Sequence, residues 1–166
     1  MKAGSLQPLA GPLGVEAVTA YLDRRGLHYE LVTHKPTFRA VDDAAASGVP
    51  PHHELKTLVL RGAEGLMLAA LGASERLDLH KARELLEDPQ LRLASEEEIE
   101  RAFPRFDIGA LPPVGPGLPR LALLDRRVPE YSRMVCAGGD HSHSLVLIPV
   151  ELVNAASPQV ADICED

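Results

Sequence analysis

The chain has 166 residues, 45% hydrophobic and 25% charged, which fits one globular domain and excludes extended disorder. Seventeen basic against 24 acidic residues give a net charge of −7. That balance disfavours long duplex nucleic acid as a partner but leaves room for a local basic pocket that takes a single nucleotide end. No apolar run approaches the roughly 18 residues of a membrane span, and the opening MKAGSLQPLAGPLG lacks a secretory apolar stretch, so a soluble cytoplasmic protein without a membrane partner is expected. Cys136 and Cys164 are far apart and have no CxxC spacing, so both are read as buried small hydrophobes rather than as a disulfide or zinc framework.

Glycine and proline at positions 4, 8, 11, 12 and 14 mark residues 1–14 as a flexible lead-in, with a single domain expected over 15–166. Val15, Val18, Tyr21 and Leu22 carry helical spacing over residues 15–25, and Gly26 supplies the stop. Residues 28–33 alternate as a strand, and residues 42–47 are Ala-rich and helical, ended by Gly48 and the Pro50-Pro51 pair. A strand from His53 to Arg61, a Gly-containing turn and the apolar run 66–71 predict a hairpin. Helices follow over 79–86 and over 95–102, the second opened by Ser95 with Glu98 three residues on, a capping-box spacing. After the Gly/Pro loop 109–117 come apolar segments at 121–124, 133–137 and 144–150, then a short helix over 150–155. The expected fold class is α+β: one mixed, strongly curved, barrel-like sheet surrounded by helices.

Three places hold chemistry. Lys56 stands among Leu55, Leu58, Val59 and Leu60 and shares a strand face with Leu58 and Leu60, so it is either a snorkelling edge-strand lysine or an ammonium aimed into a pocket. The loop Gly109, Ala110, Leu111, Pro112, Pro113, Val114, Gly115 is stiffened by proline and opened by glycine, so its backbone can approach a ligand or simply connect two elements. Gly138-Gly139-Asp140-His141-Ser142-His143 would place two imidazoles on one side of an extended strand, with Asp140 as a third candidate metal ligand but no further ligand set. His34 either lines a pocket rim or ends a strand. Nucleophile-elbow, P-loop and dinucleotide fingerprints are absent from the sequence.

In order, the segments YELVTHKPT, VDDAAASGVPPHHELKTLVLRG, RLDLHKARELL, LASEEEIE, GALPPVG, LLDRRV, AGG and ADICED resemble the YbaK/ProX family of aminoacyl-tRNA editing proteins, related to the insertion domain of bacterial prolyl-tRNA synthetases. The resemblance covers nearly the whole chain from Val15. It implies a trans-acting, metal-independent and cofactor-free hydrolase of misacylated tRNA carrying a small residue such as Ala, Cys or Ser. The implied partners are the 3′ end of aminoacyl-tRNA and an aminoacyl-tRNA synthetase, with the protein a monomer or weak dimer. Lys56 matches the family's functional lysine, expected to hold the charged end of the substrate near the terminal adenosine. Gly109 and Pro113 match a GxxxP loop whose backbone positions the aminoacyl group and a water, assisted by the substrate's ribose hydroxyl. His34, Thr57, Ala110, Leu111, Gly138, Gly139 and His141 are the candidate substrate-binding residues, and Asp125 supports the pocket. The Ala-Leu-Pro-Pro-Val sequence between the loop glycines and the DHSH stretch depart from the cysteinyl-tRNA(Pro) deacylases and leave the amino-acid specificity open. Two other readings stand beside this one: a non-catalytic nucleotide, tRNA or synthetase-binding module on the same fold, and a metal-dependent hydrolase built on Asp140, His141 and His143.

Overall fold

A computed structural model describes residues 14–36 and 53–166. The elements run α1 Val15–Arg24, β1 Tyr29–Thr33, β2 Leu55–Gly62, β3 Gly65–Gly72, α2 Leu79–Leu86, β4 Arg92–Leu93 and α3 Glu96–Ala102. They continue β5 Leu121–Asp125, a 3₁₀ turn Val128–Glu130, β6 Met134–Ala137, β7 His143–Leu147, α4 Pro149–Ala156 and β8 Gln159–Ala161. The helix expected over 42–47 and the lead-in 1–13 lie outside the described residues.

Local chemistry accounts for most boundaries. Helix α1 buries Ala17, Val18 and Leu22. It ends where Gly26 takes a φ of 70° and the Leu27 amide donates back to the Leu22 carbonyl, a Schellman-type closure that favours glycine. In α2 the Asp78 side chain accepts from the His80 and Lys81 amides. In α3 the Ser95 and Glu98 pair forms the expected capping box. Arg92, the Ser95 amide and Arg61 together hold the Glu98 carboxyl well below the usual carboxylate range. Pro149 opens α4 at a position whose amide would have no helical partner, so the third apolar segment ends as strand at Leu147 and turns helical two residues later.

The fold is α+β as expected, but among the described residues the strands form two sheets and do not close into a barrel. One sheet has the order β1, β7, β6, all antiparallel; the other has the order β4, β2, β3, β5, β8. Strands β2 and β3 form the hairpin, joined by the two residues Ala63 and Glu64, while β5 joins both β3 and β8 in parallel. The sheets meet at a bridge between Glu54 and Val135. Two-residue β4 and three-residue β8 stand at the outer edges of the larger sheet, so the curvature runs out before closure.

Strand β5 is buried along its whole length, as a parallel strand covered on both faces must be. A register shift against β3, where Leu68 pairs with Leu121 but Ala69 with Leu123, breaks its alternation. The strand feeds two apolar clusters: Leu121 and Leu124 join Leu55, Val59, Leu68, Ala70 and Leu111 in the larger, and Ala122 and Leu123 join Leu60, Met67, Ala69 and Leu71 in the smaller. Both cysteines are buried thiols, as expected. Among the described residues no helix is long and apolar enough to cross a membrane. Truncating fully buried Leu124 to alanine is expected to lower the unfolding free energy by about 2–5 kcal/mol, and Ser95→Ala by about 1 kcal/mol, both read from urea denaturation.

Candidate functional site

The loop of residues 109–113 is held by a backbone lock. The Asp107 amide donates to the Gly139 carbonyl at 3.0 Å, and the Gly139 amide donates to the Ala110 carbonyl at 2.9 Å. The Ala110 amide in turn donates to the Asp107 carbonyl at 3.1 Å, closing the turn on itself. Ala110, Leu111, Pro112 and Pro113 are buried, with Leu111 in the larger apolar cluster, whereas Gly109 is exposed. Side chains therefore anchor this loop in the core, and Gly109, at a φ of 82°, exposes its backbone.

The lock requires glycine at Gly139. Its φ is 109°, and a Cβ there would come within 3.0 Å of the Gly14 carbonyl carbon and 3.1 Å of the Phe106 ring. At Gly138 a Cβ would meet the His143 carbonyl oxygen at 3.1 Å, the same oxygen that accepts the Gly138 amide.

His141 lies beside the loop, and His34 lies against the turn that carries His141. The His141 Cε1 atom lies 3.9 Å from where a Gly109 Cβ would sit. The His34 amide donates to the Ser142 carbonyl at 2.9 Å, which fixes the end of β1 beside the 138–142 turn. Because the Lys35 carbonyl can only accept, the 2.6 Å contact puts a proton on His34 Nδ1. In the neutral ring Nε2 then accepts from the Ser144 hydroxyl at 2.9 Å. Asp140 is used locally: its carboxylate accepts from the Ser142 amide at 2.9 Å and lies 2.8 Å from His143 Nδ1. His141 stands in that turn, before β7 begins at His143, so the two imidazoles do not project from one extended strand. Among the described residues no group of three or more potential metal ligands converges.

Lys56 is placed elsewhere. On β2 it is opposite Leu71, and strand alternation sets it with Leu58 and Leu60 on the face of the smaller cluster. Its Nζ donates to the Glu75 carbonyl at 2.5 Å. Burial, the largest cause, pushes the ammonium below the ordinary lysine value; Arg76 adds to the shift, and Cys164 and Glu75 oppose it. Thr57 projects to the opposite face with Leu55 and Val59, and its buried hydroxyl has no hydrogen-bond partner among the described residues. The contacts thus gather Gly109, Ala110, Gly138, Gly139 and His141 at the loop, with Leu111 and Pro113 as its buried anchor, and set His34 against the adjoining residues Ser142 and Ser144. Lys56 belongs to a second group with Glu75. Sequence reasoning missed Asp107, Ser144 and Glu75, which act through a backbone pair, a buried hydroxyl and a carbonyl.

A family model for the aminoacyl-tRNA editing domain matches residues 34–155. The chain belongs to the aminoacyl-tRNA editing domain family. A crystal structure described as a candidate trans-editing enzyme for prolyl tRNA synthetase superimposes with a TM-score of 0.82 at 34% identity, covering 92% of this chain and 97% of that one. Proline--tRNA ligase of Thermotoga neapolitana is 31% identical over 104 residues, 62% of this chain but 18% of the ligase. The ligase of Thermotoga maritima is 32% identical over 91 residues, 55% of this chain and 15% of the ligase. The editing domain thus spans a small part of the length of those ligases and nearly all of the structural relative.

Gly139→Ala is expected to cost about 1–3 kcal/mol of stability through backbone strain and to displace the loop. Gly26→Ala, also at positive φ but with open space around the added Cβ, should cost only about 1–2 kcal/mol and leave the loop in place. Denaturation curves and amide chemical shifts of Ala110 and Leu111 separate the two effects.

Proposed function

We propose that this chain is a trans-acting aminoacyl-tRNA deacylase that hydrolyses the ester of tRNA carrying a small non-cognate amino acid such as alanine, cysteine or serine. The observation that carries this reading is the locked loop: a backbone surface with exposed Gly109 at its head and His141 beside it, in a chain of the editing family. An aminoacyl ester is already activated, so placing it against fixed dipoles and a bound water accounts for much of the required acceleration.

Within the loop the chemistry is assigned by elimination. The Ala110 amide is committed to Asp107, and Pro112 and Pro113 have no N–H, so Gly109 and Leu111 hold the loop's donors for the developing oxyanion. The ribose hydroxyl beside the ester assists the water, and no side-chain nucleophile or metal is required. Lys56 acts on a different part of the substrate, the phosphate-bearing end at the terminal adenosine. Its ammonium has three donors and gives one to Glu75, leaving two for an anion. Arg76, which acts electrostatically on Lys56, and Arg127, bound to Glu75, add positive charge at the same turn in a chain whose net charge is −7.

Deacylation of tRNAs charged with Ala, Ser, Cys and Pro, run with wild type and Lys56→Ala at low and moderate salt, tests the reading. Wild type should clear one mischarged species and Lys56→Ala should lose at least about tenfold in kcat/KM. Stability of every species would assign the fold to a binding module instead. Because the cationic form is the one that binds, kcat/KM should fall as pH rises through the depressed Lys56 pKa, below the pH at which an ordinary lysine of pKa 10.5 would titrate. A profile flat through that range, corrected for spontaneous hydrolysis, would remove Lys56 from the mechanism.

A further inference from the structure

Asp125 is a carboxylate with 1% exposure in the middle of the fold. An ionised group so deep needs several partners, and Asp125 has them. Its Oδ2 accepts from Arg127 Nε at 3.0 Å and from the Arg127 amide at 3.2 Å. Its Oδ1 lies 3.3 Å from the Cys164 thiol and 3.4 Å from the Ile163 amide. Arg127, oriented by that contact, donates from its outer nitrogen to Glu75 Oε1 at 3.0 Å. Glu75 is the residue whose carbonyl receives Lys56 Nζ. One carboxylate thus fixes an arginine, the arginine fixes a side chain in the turn after β3, and the same residue's carbonyl takes the ammonium.

A second set of contacts holds the same turn from the other side. The Asp78 amide donates to the Ile163 carbonyl and the Glu165 amide to the Arg76 carbonyl, each at 2.8 Å. Lys81 Nζ clamps this segment by donating to the Cys164 carbonyl at 2.6 Å and to Asp162 at 3.0 Å. Residues 75–78 are therefore bound between Arg127 and residues 162–165, and Arg127, Ile163 and Cys164 all contact Asp125.

From this chain of contacts we infer that Asp125 and Arg127 are positioning residues for Lys56, acting through Glu75, so that the turn after β3 sets where the ammonium meets the substrate. The inference rests on the functional reading of Lys56 given above. It gives a purpose to the LLDRRV and ADICED segments: both hold one lysine in place.

The test combines a double-mutant cycle with a direct view of the lysine. Arg127 is nearly half exposed, but its loss leaves buried Asp125 without its cation. The folding of Arg127→Ala is therefore checked first by circular dichroism, and Arg127→Gln, which keeps an N–H donor, is assayed beside it. The kcat/KM of Arg127→Ala for the mischarged tRNA should fall about tenfold, Arg127→Lys should recover part of the loss, and in a Lys56→Ala background the same change should do nothing further. Equal losses in both backgrounds would mean general structural damage and would overturn the inference. Independently of activity, the Nζ resonance of Lys56 should titrate closer to an ordinary lysine in Arg127→Ala as the ammonium swings into water. An unmoved Lys56 titration would overturn the positioning role even if deacylation is observed, whereas a moved titration in a protein without deacylase activity would support the positioning and refute the functional reading alone.

Discussion

The two hydrogen bonds that Gly139 makes to Asp107 and Ala110 hold the candidate site together. They join segments about thirty residues apart, and they form only because residue 139 can take a backbone conformation and a closeness to Gly14 and Phe106 that a Cβ would forbid. This pair ties the turn at Asp107 to Gly139, while Leu111 packs in the larger apolar cluster, Gly109 stays exposed and His141 lies close by. A site whose working parts are backbone groups must be rigid by construction, because it has no side-chain rotamers with which to adjust.

The division between loop and lysine follows from strand geometry. Successive residues of β2 face opposite sides of the sheet, so Lys56 and Thr57 cannot serve the same cluster. Thr57 faces the cluster that receives Leu111, and Lys56 faces the one built on Leu60, Ala69 and Leu71. The ammonium is then held at the end of that face by the turn carrying Glu75. A bipartite substrate suits such a site: an ester at one place and a charged nucleotide end at another.

Much of the fold was legible because its signals are local. The spacing in 79–86, the Ser95 and Glu98 pair, Gly26 behind α1 and the apolar run after Gly65 each report on residues within one or two turns. Strands β4 and β8 left no trace, being two and three residues long and largely exposed. The separation into two sheets was also hidden, since β1 pairs with β7 more than a hundred residues away and alternation does not name a partner. At the site, the unusual lysine, the glycines and the histidines could be read from residue type. The carbonyl that receives Lys56, the hydroxyl that orients His34 and the turn that draws Asp140 to His143 could not, because a backbone acceptor or a buried serine has no signature of its own.

The central claim is that the ester is hydrolysed on a backbone surface without a covalent enzyme intermediate. Single-turnover reactions with mischarged tRNA, acid-quenched at intervals, treated with ribonuclease and examined by intact-protein mass spectrometry, test it most directly. The account predicts that the protein mass stays unchanged at every time point while the amino acid is released. An aminoacyl mass increment that rises and decays with turnover, mapped to Ser144 or any other side chain, would contradict it.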